Sequence, residues 1–339
     1  MIFALVLGGL LGVSVLFNLG WFLSDVIRLR PSRGYTSGPR LEEVLVQDNG
    51  SGNKIAVVEV EGLISEFISQ GGYNMVEVLK AQLQRAKDDD RVKAVLLKVN
   101  SPGGEVMAAD EIYRALEGFE QKSHKPIICS MGSLAASGGY YVAAPCRWIV
   151  ANELTITGSI GVIMSTWNYR HLMDKVGVTP MVFKSGKFKD MLSGSKEPDE
   201  ITDAEKEMIQ SLIDETFQRF KDIVADGRAQ AYERNRKQSV KLSDDWEDYA
   251  DGRVLSGKEA YKLGFVDELG DFDVAVKRAR KLAGVADANL VEYQQRIEFT
   301  DLFRLLGQSD AKAVKLDLGF DLPKIEAGHL YFLSPTVLH

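Results

Sequence analysis

Apolar residues recur along the first part of this 339-residue chain in two alternating patterns. Short apolar runs at 54–62, 92–99 and 126–130 predict buried β-strands, whereas residues 74–90 and 106–120 carry apolar side chains at helical spacing. Strands that alternate with helices in this way are typical of βα units around a mainly parallel sheet. The pattern therefore predicts an α/β fold.

A long helix is predicted to begin after Thr202, because Thr202 and Glu205 have the spacing of a capping box. Apolar residues then recur on one face of the segment as far as Val224, which predicts packing against the core or against another subunit. Beyond about residue 285 the periodicity weakens, so residues 286–339 are treated as a C-terminal tail of unassigned role.

Residues Ile2 to Leu23 form an almost unbroken apolar run, which is long enough to span a bilayer as a helix. The run lacks the basic start and the small-residue cleavage site of a signal peptide, so it predicts an uncleaved, single-pass anchor over residues 1–23. Polar residues with scattered Gly and Ser follow at 24–53 and predict a flexible linker. Arginines follow the anchor and none precedes it, so the positive-inside rule places the remainder of the chain in the cytoplasm.

Composition narrows the possible chemistry. The formal net charge of −7 argues against nucleic acid as a partner. Two cysteines are too few for a disulfide framework, and the spacings typical of zinc ligands do not occur. We therefore expect neither a metal ion nor another cofactor.

The most informative segment is Met-Gly-Ser-Leu-Ala-Ala-Ser-Gly-Gly-Tyr-Tyr at 131–141, in which Ser137 follows two alanines and precedes two glycines. Such small neighbours allow a tight turn that leaves the serine hydroxyl bare and brings backbone N–H groups close to it. A serine acyl-transfer enzyme needs both features, together with a base. Ser137 is therefore the candidate nucleophile.

The base is harder to identify. The nucleophile-elbow pattern G-x-S-x-G is only half met, because Ala135 replaces its first Gly, and this disfavours an α/β-hydrolase. A lysine can replace histidine as base if burial lowers its pKa by about 3 units. Lys184, Lys187 and Lys189 lie among apolar residues at 181–192, and chemistry alone does not choose among them. No turn built around Gly or Ser surrounds any of the histidines, which are His124, His171, His329 and His339.

Several long motifs occur in the order found in the signal peptide peptidase family of SppA type, which this chain resembles in its short, single-domain form. Members of that family are membrane-bound serine proteases that use a Ser–Lys dyad and need no cofactor. Their fold, built of repeated ββα units, is similar to the Clp protease and the crotonases. The resemblance implies a Ser–Lys protease domain over residues 54–285, preceded by one transmembrane helix. The motifs that carry it lie at 97–104, 131–141, 157–162, 184–190 and 252–260.

Carried over position by position, the resemblance implies Ser137 as nucleophile, Lys189 as general base and Ser159 as the residue that orients the lysine. Gly104 and Gly138 match the donors of the oxyanion hole. The physical chemistry is consistent with this, since glycine lets a backbone N–H approach a substrate closely. A helix that opens at Gly138 would also favour a developing negative charge through its dipole.

The resemblance further implies a membrane-anchored endopeptidase that degrades cleaved signal peptides. It implies ring-like homo-oligomers in which subunits share active sites, and a protease domain outside the cytoplasm, contrary to the positive-inside rule. Two other classes of protein remain open. One is a crotonase-like acyl-CoA enzyme, in which residues 100–104 would hold a thioester enolate, and the other is a non-catalytic membrane scaffold.

Overall fold

The computed structural model describes residues 38–68, 72–295 and 330–334. The anchor predicted over residues 1–23 lies outside this range. Within the range, no helix is long and apolar enough to cross a membrane.

The described residues form twelve strands and seven α-helices, together with single 3-10 turns at Pro198–Glu200 and Trp246–Tyr249. The strands are β1 Leu41–Gln47, β2 Lys54–Glu61, β3 Val92–Ser101, β4 Gly103–Glu105, β5 Ile127–Ala136, β6 Trp148–Ala151, β7 Ile156–Gly158, β8 Ile163–Met164, β9 Val254–Ser256, β10 Glu268–Leu269, β11 Asn289–Gln295 and β12 Leu330–Leu333. The helices are α1 Met75–Asp88, α2 Val106–Ser123, α3 Gly138–Ala143, α4 Arg170–Lys175, α5 Asp203–Arg234, α6 Gly257–Lys262 and α7 Phe272–Ala283.

Nine of these strands form one sheet, with the order β1-β11-β2-β3-β5-β6-β10, in which β7 pairs with the last residues of β5 and β9 pairs with β7. The pairs from β11 through β2, β3, β5 and β6 to β10 are all parallel, whereas the edge strand β1 is antiparallel to β11. The prediction of an α/β fold around a mainly parallel sheet is therefore confirmed. A second, three-stranded sheet has the order β4-β12-β8.

Side chains that alternate along the central strands divide the core into two layers. On β3, Val95 and Leu97 face a large core that also contains side chains of α1, α2, α3 and the second half of α5. Ala94 and Leu96 point to the opposite face, where they pack against α7. A strand buried on both faces reads as a continuous apolar run, which is why β3 was recognisable in the sequence.

Helix α5 begins as predicted, because the Thr202 hydroxyl accepts the N–H of Glu205 and the Glu205 carboxylate accepts the N–H of Thr202. Its predicted apolar face is only partly core. Phe220 and Ile223 in the second half are buried, whereas Met208 and Leu212 in the first half are about two-fifths exposed, at 39% and 43%.

Two predicted boundaries need correction. Residues 41–47, predicted to belong to a flexible linker, form β1 and pair with β11 over most of their length. Strand β11 itself lies beyond residue 285, so the sheet extends into the segment predicted to be a separate tail. Charged residues conceal both strands: Glu42 and Glu43 interrupt the pattern of β1, which as an edge strand buries little apolar surface, and Glu292 interrupts that of β11.

Candidate active site

Ser137 is the single residue between strand β5 and helix α3. Its backbone lies in a sparsely populated conformation (φ 54°, ψ −118°), and its N–H donates to the carbonyl of Gly158 at 2.8 Å. The residue is fully buried, yet its hydroxyl has no hydrogen-bond partner among the described residues. The turn thus holds a buried hydroxyl at the start of a helix with nothing bonded to it.

The two glycines predicted as oxyanion donors lie together beside this turn. A Cβ atom added to Gly138 would lie 3.1 Å from the backbone nitrogen of Gly104, and one added to Gly103 would lie 2.6 Å from the nitrogen of Gly138. Only glycine fits at such a close approach of two main chains. The described fold therefore brings the main chains of Gly103, Gly104 and Gly138 close together next to Ser137.

A segment from near the end of the chain lies against these glycines as strand β12. Phe332 pairs with Gly104 in an antiparallel ladder, and the N–H of Ser334 donates to the carbonyl of Pro102 at 2.8 Å. Hydrogen-bonded pairs alternate along such a ladder, so Gly104 and Phe332, two residues further along, form the next hydrogen-bonded pair after Pro102 and Ser334. A Cβ atom on Gly103 would collide with the carbonyl oxygen of Phe332. An extended peptide thus presents a carbonyl group to the glycine pair.

The side chain of Phe332 fills an aromatic pocket. Its ring stacks on Tyr141 with the centroids 4.7 Å apart and contacts Phe220 at 4.8 Å. The Tyr141 hydroxyl donates to the buried carboxylate of Asp110 at 2.7 Å. Burial acts to raise the pKa of Asp110, but the hydrogen bonds from Tyr141 and Arg114 outweigh it and hold that pKa below its ordinary value. The pocket is therefore lined by aromatic rings, and the charged carboxylate of Asp110 holds the Tyr141 ring in place.

Ser159 also lies close to the turn. It follows Gly158, which pairs with Ala136 in the β5–β7 ladder and accepts the N–H of Ser137. Ser159 is 2% exposed, has a positive φ of 50°, and donates its N–H to the carbonyl of Arg253 at 2.7 Å. The structure therefore places Ser159 directly after strand β7, the strand whose last residue bonds to the candidate nucleophile.

Lys189 is not brought to Ser137 within the protomer. It is exposed, and the unpartnered Ser137 hydroxyl receives no hydrogen bond from it. Lys189 belongs to residues 161–200, which we call the lysine arm and in which no residue is buried. The described protomer therefore does not by itself bring Lys189 and Ser137 together as the predicted dyad.

The structure does distinguish the three lysines of the arm. The Lys184 ammonium donates to both carboxylate oxygens of Asp190, at 2.6 and 2.7 Å, and the Lys187 ammonium lies 4.9 Å from the centre of the Phe188 ring. The Lys189 ammonium forms no ion pair or cation–π contact with the described residues. Lys189 is thus the lysine of this motif without an ion pair or ring contact to the described residues.

One cluster in the described part of the chain has the composition of a metal site. The ligand atoms of His171, Asp174 and Glu197 lie within 4.8 Å of one another on the arm. Arg170 pairs with Asp174 at 2.6 Å and with Glu197 at 2.8 Å, so one guanidinium bridges both carboxylates and offsets one of their two negative charges. The cluster is accounted for as an ion-pair network.

A strained serine between a parallel strand and a helix, close to two glycine main chains, is the arrangement that serine acyl-transfer enzymes use. Comparison with known proteins gives the family. The family model for peptidase family S49 matches residues 120–286, and that for Clp protease matches residues 65–148.

Three relatives show how far the similarity extends. A protein named as signal peptide peptidase SppA in Enterococcus faecium is 37% identical over 77% of this chain and 72% of its own length. A protein named as a protease in Synechocystis is 37% identical over 76% of this chain and 84% of its own length. Protease 4 of Haemophilus influenzae is 35% identical over 74% of this chain but only 38% of its own length.

The chain therefore belongs to peptidase family S49 and is a serine endopeptidase with a Clp protease-like domain. This assignment removes the two other classes of protein that the sequence left open, the crotonase-like acyl-CoA enzyme and the non-catalytic scaffold.

Proposed function

We propose that this protein cleaves peptides through a Ser–Lys dyad formed by Ser137 and Lys189. The neutral Lys189 amine takes the proton of the Ser137 hydroxyl as its oxygen attacks the scissile carbonyl. The N–H groups of Gly104 and Gly138 hold the resulting oxyanion, and Ser159 orients the lysine amine. Lys189 then gives the proton to the leaving amine, and water hydrolyses the acyl-enzyme by the same route in reverse.

The observation that carries this proposal is the position of β12. The Phe332 carbonyl lies against Gly103, next to the nitrogen of Gly138, while its ring fills the pocket of Tyr141 and Phe220. A substrate strand that added to β4 in the same way would present its scissile carbonyl to both proposed oxyanion donors.

We propose that Lys189 acts on Ser137 of a neighbouring subunit in a homo-oligomer. Three large apolar side chains of the arm are among the most exposed in the described protein: Trp167 (79%), Met181 (78%) and Phe183 (90%). Apolar surface of this kind on a segment without a core favours burial against another chain. Such burial would also remove water from around the Lys189 amine.

The proposed substrates are apolar peptides released in the membrane, such as cleaved signal peptides. Two features support this choice: the aromatic pocket suits a large apolar side chain, and the Enterococcus faecium relative is named as a signal peptide peptidase. We further propose that residues 1–23 anchor the protein in the cell membrane with the protease domain outside the cytoplasm. The apolar run supports the anchor, whereas the orientation rests on the family resemblance alone.

The test is cleavage of an apolar fluorogenic peptide by the full chain and its variants. Ser137→Ala and Lys189→Ala should each lower kcat/KM by at least about 10³-fold, because the two groups act as one unit. Lys187→Ala is the matched control, since it removes a lysine of the same turn and should leave turnover close to that of the wild type. Near wild-type turnover in either dyad variant would refute the mechanism.

Mixing the two inactive variants tests the shared site. In a head-to-tail ring reassembled from equal amounts of Ser137→Ala and Lys189→Ala chains, about a quarter of the sites regain both groups if the lysine acts in trans. A site completed within one chain would regain none. Recovery of activity on mixing therefore supports the shared site, and its absence in an oligomer shown to exchange subunits contradicts it.

A further inference from the structure

A fully buried ion pair lies at the end of α3 that is farthest from Ser137. The guanidinium of Arg228 contacts the carboxylate of Asp267, and both side chains are 0% exposed. Arg228 also donates through Nη1 to the carbonyl of Cys146 at 3.2 Å and approaches that of Ala144 at 3.5 Å. Ala144 caps the C-terminal end of α3, and Cys146 lies in the loop that follows. Arg228 of α5 is therefore bonded to the end of α3 that is opposite Ser137.

Asp267 ties a third element to the same point. Its carboxylate accepts the N–H of Ile149 in β6 at 2.8 Å, and its own N–H donates to the Ile149 carbonyl at 2.9 Å. Helix α5 is also in close contact with α3, because a Cβ atom added to Gly227 would lie 2.6 Å from the carbonyl oxygen of Ala144. The ion pair therefore joins α3, α5 and β6 where all three are buried.

This arrangement bears on Ser137 because α3 is short. Six residues rise only about 9 Å, so a shift at Ala144 moves Ser137 and the N–H of Gly138 with it. The backbone of Ser137 is strained and persists only where its surroundings fix it. A buried ion pair, by contrast, adds little stability over apolar residues of similar size. The pair is thus better suited to fixing geometry than to stabilising the fold.

We propose that Arg228, held by Asp267, is a positioning residue that keeps α3 in the register in which Ser137 and Gly138 are reactive. The inference rests on the proposed function, since it takes Ser137 as the nucleophile. It requires that the rate of attack by Ser137 depends on the hydrogen bonds from Arg228 to the carbonyls at the end of α3. Binding of a substrate strand between β4 and β8, in the place of β12, should not depend on these hydrogen bonds.

The experiment compares Arg228→Met/Asp267→Asn with the wild type in the full chain. The double variant removes both charges together and keeps an acceptor for the N–H of Ile149, so it avoids an unpaired buried charge. Four quantities are measured: the labelling rate of Ser137 by a fluorophosphonate, kcat and KM for an apolar fluorogenic peptide, and the midpoint of thermal unfolding. We expect labelling and kcat to fall about 10²-fold with little change in KM.

A second variant keeps the inference testable if the double variant does not fold. Arg228→Lys retains a cation for Asp267 but loses the planar guanidinium that reaches the carbonyls, and we expect about a tenfold slower labelling. The matched control is Lys54→Met, which removes a buried ion-pair cation at the start of β2, far along the chain from α3. It should lower thermal stability and leave the labelling rate unchanged.

The outcomes separate the two ideas. Folded Arg228 variants that label at the wild-type rate overturn the positioning role while the proposed nucleophile stands. A rise in KM alone, with kcat unchanged, also overturns the positioning role. Failure of the wild type itself to label at Ser137 overturns the proposed nucleophile, and the positioning role falls with it.

Discussion

At the scale of single residues, the site combines a rare backbone conformation with unusually close approaches between main chains. Ser137 has a backbone conformation that L-residues rarely adopt and a buried hydroxyl without a partner, and each feature costs about 1–3 kcal/mol. Gly103 and Gly104 sit where any side chain would collide with a neighbouring main chain. Stability is lost at each of these positions, and the space and reactivity around one hydroxyl are the result.

Gly103→Ala should separate the cost to folding from the cost to catalysis. The new methyl group would occupy the position of the Phe332 carbonyl oxygen, so we expect kcat/KM to fall by at least about 10²-fold. The loss of stability should exceed the about 1–2 kcal/mol that the positive φ of 101° costs by itself, because the methyl group also collides with main-chain atoms of Phe332 and Gly138.

Gly284→Ala provides the comparison for that variant. Gly284 also has a positive φ, 69°, but nothing lies within 4 Å of an added Cβ atom. It should therefore lose only about 1–2 kcal/mol of stability in urea unfolding and keep full activity in the peptide assay. Equal activity in the Gly103 and Gly284 variants would contradict the position assigned to the scissile carbonyl.

How far the sequence predicted these residues depends on what each one needs. Ser137 was recognisable because its neighbours must be small, and small residues are visible in a sequence. The availability of Lys189 depends instead on contacts made by other lysines, with Asp190 and with the Phe188 ring. Arg228 was not predicted at all, because its partner Asp267 lies 39 residues away and charged residues are usually exposed.

At the scale of elements, the active site depends on a strand that changes partners. β5 pairs with β6 up to Ser130 and then with β7 from Leu134 to Ala136, which carries it six residues beyond its predicted end and directly to Ser137. The sequence could not predict this, because the apolar run ends at Ser130 and the continuation is specified by pairing. Strand β12 escaped prediction for a related reason: it is four residues long and completes a sheet whose other members are also short.

The start of the main sheet should show a defined dependence on pH. Asp89 bonds with Arg91 and with Lys54 of β2. Burial acts to raise its pKa, but these bonds prevail and hold the pKa of the carboxyl far below its ordinary value of about 3.9. Since the folded-state pKa is lowered, the stabilisation is complete above about pH 4 and is lost as the pH falls through the folded-state value.

Asp89→Asn should therefore lower the free energy of unfolding at pH 7 and flatten its decline below about pH 4. Urea titrations between pH 3 and pH 7 would measure both effects. Asp88→Asn serves as the control, because Asp88 accepts only from the neutral amide of Gln84 and should leave the acid dependence as in the wild type. An unchanged acid dependence in Asp89→Asn would disprove the assignment.

At the scale of the whole molecule, strand β12 occupies the place where we propose that substrate binds. The side chains of Tyr331, Phe332 and Leu333 are almost entirely buried, and β12 covers the glycines that we propose as oxyanion donors. A substrate strand that pairs with β4 must therefore take the place of this segment. The described structure is one in which the site is complete in its nucleophile half and already filled by a peptide.

Deletion of residues 330–339 should raise kcat/KM several-fold, because it removes a strand that competes with substrate. It should also lower the thermal midpoint, since three buried apolar side chains contribute on the order of several kcal/mol. Deletion of residues 335–339 alone leaves β12 in place and should change neither quantity. A lower kcat/KM after the longer deletion would show that β12 supports the site instead of blocking it.

The exposed lysine arm has a consequence for control of proteolysis. If the base reaches the nucleophile only across a subunit contact, the number of working sites follows the law of mass action, and the protein has no fixed specific activity. Freshly made or dispersed chains would then be inactive. Confinement to the surface of a membrane would raise the local concentration of chains and switch the protease on where its substrates are released.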